Sequence, residues 1–112
     1  MIGQTRAQLT TAIERMNVGK STVFVGASWR ETDMFLHTVH EMGGRVDVFR
    51  RVVSSEAGGF IRFAALDADP EQYRSARAVI VFDHHAERVM NNRHNPRDAR
   101  WVHAQTMSRR FE

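Results

Sequence analysis

Ala78-Val79-Ile80-Val81-Phe82-Asp83-His84-His85 is the stretch on which the fold turns. Five apolar residues run without a polar break and end on an acid and two histidines. Such a run predicts a strand buried on both faces, at the centre of an α/β sheet. Ligands of open α/β sheets gather outside the carboxyl ends of such strands. Asp83, His84 and His85 are therefore the first candidate site, suited to a divalent metal.

Working outward, Ser21 to Ala27 predicts a second central strand around Val23, Phe24 and Val25. Gln4 to Asn17 predicts a helix, with Leu9, Ala12, Ile13 and Met16 on one stripe, Thr5 and Gln8 as a capping box and Gly19 as its stop. Gly19-Lys20-Ser21-Thr22 has the ending of a phosphate loop but follows a helix and opens a strand, the reverse of that motif. Ser28 with Glu31 caps a helix from Trp29 to Met42, with Phe35, Leu36, Val39 and Met42 buried and Gly43-Gly44 as its end. Ser28, Trp29 and Arg30 in its first turn are a candidate anion site. His37, His40 and Glu41 share an outer face and read as solvated.

Arg45 to Ser54 and Gly59 to Leu66 predict two strands of a hairpin, the first alternating through Val46 and Val48. Arg50, Arg51 and Arg62 fall close across it, with Phe49 and Phe60 interleaved, a pattern suited to a nucleic-acid backbone and its bases. Asp67-Ala68-Asp69 is an acidic loop, and Pro70 opens a short turn through Ser75. Asn95-Pro96 starts a last helix that runs to about Arg109 with a weak apolar pattern of Ala99, Trp101, Val102 and Met107. From His84 onward there are six arginines, Arg110 the last, and four histidines against three acids. That makes Arg93, Arg97 and Arg100 candidates for an acidic partner.

With 112 residues the chain predicts one domain, 1–112, and a single modest core. It holds no cysteine, so disulfides and thiolate metal sites are excluded. No apolar run approaches the ~20 residues of a membrane span. The N-terminus has no apolar core of a secretory signal, so the expected location is cytoplasmic. Of sixteen basic residues, all but Lys20 are arginine, the net charge is +3, and the pI is about 10.5. Arginine forks match phosphates and carboxylates. The fold class expected is α/β, a three-layer sandwich with a mixed, mostly parallel sheet of about four strands and helices on both faces.

The stretch from Gly59 to Glu87 resembles part of the core of helicase and phage-terminase type P-loop ATPases. Gly59 to Phe63 stands for the hairpin strand, Tyr73 to Arg77 for the intervening segment, and Val79 to His84 for the metal-side strand. Val23 to Ser28 stands for the first strand and phosphate loop. The loop before Trp29 has no G-K-[ST], and His84 stands where a glutamate polarises water, so only Asp83 matches a magnesium-side acid. The resemblance thus implies a core that has lost hydrolysis and kept a nucleic-acid surface, of a kind suited to a phage or mobile element. Val79 to His85 is also similar to the Asp-His-His motif of the DHH phosphoesterases, with Asp67 and Asp69 as a D-x-D element. That likeness implies manganese or magnesium and phosphodiester cleavage. Without a metal, Asp83 reads as the cap of the following helix.

The leading expectation is a small non-catalytic accessory or regulatory protein without a cofactor. It would bind nucleic acid, or a nucleic-acid-handling protein, through Arg50, Arg51, Arg62, Arg93, Arg97 and Arg100. The alternatives are a metal-dependent phosphoesterase or nuclease using Asp83, His84 and His85, and a protein-interaction module that inhibits a host enzyme.

Overall fold

The computed structural model describes residues 3–43, 45–47, 49–74 and 77–109. Gly44, Val48, Ser75 and Arg110, which figure in the sequence reading, lie outside them. Helix α1 (Gly3–Asn17) precedes β1 (Ser21–Gly26), and α2 (Trp29–Glu41) follows it. Three strands come next, β2 (Arg45–Asp47), β3 (Val52–Ser54) and β4 (Phe60–Ala65). A 3₁₀ turn, Pro70–Tyr73, leads to β5 (Ala78–Phe82), α3 (His84–Asn91) and α4 (Pro96–Arg109).

The five strands lie in the order β2-β3-β4-β1-β5. β1 runs parallel to both its neighbours, and β3 runs antiparallel to both of its own. The α/β class therefore holds, but the sheet has five strands rather than about four and is not mostly parallel. The reason is local. Arg45 to Ser54 is not one strand: it folds back on itself, pairing Arg45 with Ser54 and Asp47 with Val52. Short connections of this kind can join only antiparallel strands.

A second correction concerns β5. It pairs with β1 alone and is an edge strand, whereas β1 is central and buried along its whole length. β5 is apolar because layers cover both its faces. Ala78, Ile80 and Phe82 pack with Trp101 and Ala104 of α4, and Val81 packs toward the side of α1 and α2. That second side holds Leu9, Ala12 and Met16 of α1 with Phe24, Phe35, Leu36, Val39, Ile61 and Phe63. Helices thus lie on both faces, as expected. Gln105 Nε2 donates to Ile80 O at 2.9 Å and so gives one β5 carbonyl a partner.

The helix ends follow their residues, with two exceptions. Gly19, at φ 85°, closes α1, with Gly19 N–H on Met16 O at 3.1 Å and Lys20 N–H on Arg15 O at 2.9 Å. These two bonds form a Schellman stop. Ser28 caps α2 and accepts from Glu31 N–H at 3.3 Å. Thr5 and Gln8 do not cap α1, which begins earlier, at Gly3. Met42 is not in the buried stripe of α2: it is exposed beyond the helix end. In α4 the buried residues are Asp98, Trp101, Ala104 and Ser108, while Val102 is exposed. Three of those four are polar or small, which is why its apolar pattern is weak.

Gly59 lies where the end of α1 meets the β3–β4 turn. A Cβ there would collide with Met16 O and stand 2.5 Å from Lys20 O, both backbone atoms. Met16 O is already held by Ser55 Oγ, which donates at 2.6 Å. Gly59→Ala is expected to cost about 1–3 kcal/mol, the scale of overpacking. Gly3→Ala, which meets nothing within 4 Å, is the control. A urea midpoint for Gly59→Ala equal to wild type would show that these turns yield freely.

Candidate nucleic-acid interface

At the carboxyl end of β5, Asp83 is 1% exposed and caps α3. One carboxylate oxygen accepts from Thr5 Oγ1 at 2.7 Å, and the other accepts from His85 N–H at 3.2 Å. Gln8 reaches the same junction, donating to Phe82 O at 2.8 Å and accepting from His84 N–H at 3.1 Å. Thr5 and Gln8 thus dock α1 onto the β5–α3 turn. His85 Nδ1 lies 2.7 Å from Glu31 Oε1, linking the first turns of α2 and α3. His84 and His85 stand in a helix, not on an extended segment.

Asp67 and Asp69 serve other partners. Asp67 O accepts from Arg97 at 2.8 Å, and the Asp69 carboxylate accepts from Arg100 at 2.8 Å and from Glu71 N–H at 3.1 Å. Among the described residues, no three or more His, Asp or Glu side chains converge as a metal site, and His37, His40 and Glu41 are exposed. Ser28 is used as a cap, Trp29 lies under the Arg51 guanidinium, and Arg30 is exposed.

The six candidate arginines divide into two groups. Arg93 forms a two-pronged pair with Asp98, both contacts at 2.8 Å. Asp98 is buried, and its hydrogen bonds hold the Arg93 guanidinium above its ordinary pKa. Together with Arg97 and Arg100, this pair ties the start of α4 to its neighbouring loops. Their donors meet acids and carbonyls of the protein itself.

Arg50, Arg51 and Arg62 all border one opening beside the β2–β3 turn, but the Arg51 guanidinium turns the other way, onto Asp33 and Trp29 of α2. Successive strand residues face opposite ways. Ile61 and Phe63 of β4 face α1 and α2, while Phe60 and Ala64 face the layer of α4. Arg62 shares that second face, and Val52 of β3 is its partner in register. The α4 layer packs on β1 and β5 and contributes no contact with β3 to the core. The sheet therefore opens there into a groove of about 620 Å³, lined by Phe49, Arg50, Arg51, Val52, Arg62 and Tyr73 among others. No acid lines it.

Each arginine is set differently. Arg50 is 84% exposed at the hairpin tip, loosely paired with Asp47 at 3.7 Å. Its backbone N–H donates to Asp47 Oδ1 at 3.1 Å and shapes the turn. Arg51 sits at φ 52° and is held there by Asp33 at 2.9 Å and by the Trp29 ring, 4.5 Å from its guanidinium carbon. Arg62 donates to Gln72 O at 3.0 Å and lies 4.2 Å from the centroid of Tyr73. Phe49 is 97% exposed beside them.

Sequence reasoning did not place Tyr73, which lines the groove, beside these arginines, and it read Trp29, which lies under Arg51, only as part of an anion site. Both arrive from segments remote from the hairpin, and no spacing along the chain announces them. No protein-family model matches this chain, and no curated protein or solved structure is significantly similar to it.

Proposed function

We propose that the chain is a small non-catalytic protein that binds nucleic acid through the groove of Phe49, Arg50, Arg51 and Arg62. One observation carries this reading: the exposed Arg50, the Arg62 guanidinium and a fully exposed ring line one groove with no acid in its lining. The positive φ of Arg51 adds support, because strained backbone on a non-glycine residue gathers at working sites. Arg93 serves the fold in this reading through its two-pronged pair with Asp98, while Arg97 and Arg100 each give one donor, to Asp67 O and to the Asp69 carboxylate. The likeness to helicase and terminase cores suggests an accessory role beside nucleic-acid-handling machinery.

Phosphate contacts release counterions, so binding must weaken with salt. With Arg50 and Arg62 engaged, log K is expected to fall with log salt at a slope of about 1–2. Fluorescence anisotropy of a labelled oligonucleotide between about 50 and 200 mM salt measures it. Arg50→Ala, at an exposed position, is expected to reduce the slope by about 1 with no change in thermal midpoint. A flat salt response, or no binding at low salt, removes the proposal.

A further inference from the structure

Resting on that reading, we infer that the groove takes single-stranded nucleic acid, with unpaired bases stacked on Phe49 and on the guanidinium of Arg62. Three planar groups come together beneath the groove. The Trp101 ring is 5.6 Å from Tyr73, tilted by 38°, and the Arg62 guanidinium lies over the other ring of that pair, Tyr73, at 4.2 Å. Trp101 is wholly buried, Tyr73 nearly so, and Arg62 is half-buried and lines the groove. The buried ring pair thus backs a cation that lines the groove and gives one donor to Gln72 O. Guanidinium planes of this kind accept bases by stacking. Phe49 offers a second platform, 97% exposed at the rim.

A duplex cannot use these platforms, because its base faces are hidden in the stack and only edges and phosphates are displayed. Single strands present base faces freely, and aromatic and arginine platforms hold them without regard to sequence. Arg50, 84% exposed at the hairpin tip, faces the phosphates of the same strand. A groove of about 620 Å³ has the size of a small-ligand cleft, enough for a short run of nucleotides rather than a helix.

The test uses the full chain and an oligothymidylate of about eight nucleotides, compared with a hairpin-free duplex of equal phosphate count. The single strand is expected to bind about tenfold tighter or more. Phe49→Ala, at a fully exposed position, is expected to weaken it by about 5- to 100-fold with an unchanged salt slope. Arg62→Lys keeps the charge and loses the plane, so it is expected to weaken single-strand binding while the slope holds. Duplex binding equal to or tighter than single-strand binding overturns this inference alone, as does a Phe49→Ala variant of wild-type affinity. Binding of neither form at low salt overturns both this inference and the function proposed above.

Discussion

Trp101→Ala is expected to destabilise the fold by about 3–5 kcal/mol, the range for removing a large buried aromatic side chain. Trp101 is 0% exposed in the layer between β5 and α4. Its ring meets Tyr73 at 5.6 Å and Phe82 edge-on at 6.4 Å, and its Nε1 donates to Leu66 O at 3.2 Å. Truncation therefore opens a cavity and strands a buried carbonyl together. Domains of this size hold about 5–15 kcal/mol in all. The melting temperature is expected to fall by roughly 15–30 °C. Trp101→Phe keeps most of the ring and loses the N–H, and its cost is expected near 1–2 kcal/mol. Urea denaturation of the three proteins checks the order. A Trp101→Ala midpoint at or above that of Trp101→Phe would show that packing at this ring contributes little.

Asp83→Ala is the second large effect, at about 2–4 kcal/mol. The substitution removes the cap of α3 and leaves the Thr5 hydroxyl without its acceptor in a buried setting. Caps are worth about 1 kcal/mol, and an orphaned buried donor costs about 1–3 kcal/mol more. Thr5→Val removes that donor, so the double variant is expected to be more stable than the sum of the two single changes predicts. Strict additivity in a double-mutant cycle would show that the two side chains do not act together. Asp83 thus answers to α1 as well as to its own helix, a role distinct from that of a strand-end metal ligand.

Asp83 shows how far residue patterns reach. A strand ending in an acid is legible from the apolar run, and so is the capping role as one of two readings. What no local pattern announces is the second bond to its carboxylate, from Thr5, 78 positions away. The same holds at the groove. Arg50, Arg51 and Arg62 are readable as neighbours across a hairpin, with Phe49 among them. The break of Arg45–Ser54 into two strands is nearly silent, because no glycine, proline or asparagine marks the turn. Only Asp47 hints at it, through the bond that its side chain accepts from Arg50 N–H. Arg93, Arg97 and Arg100 look like an open basic stripe along the chain, yet Asp98, Asp67 and Asp69 come to meet them.

By itself the sequence determined which segments leave water and with what period: an α/β chain, two apolar strands around Val23 and Ile80, and helices capped at Ser28 and Asn95. Those features depend on residues within a turn or two of one another. Tertiary structure alone decided that Ala78–Phe82 lies at the sheet edge, because an apolar run reports covered faces and is silent about paired edges. It also decided which groups each arginine meets. That outcome depends on where distant carboxylates and aromatic rings arrive, and chain order does not encode it locally.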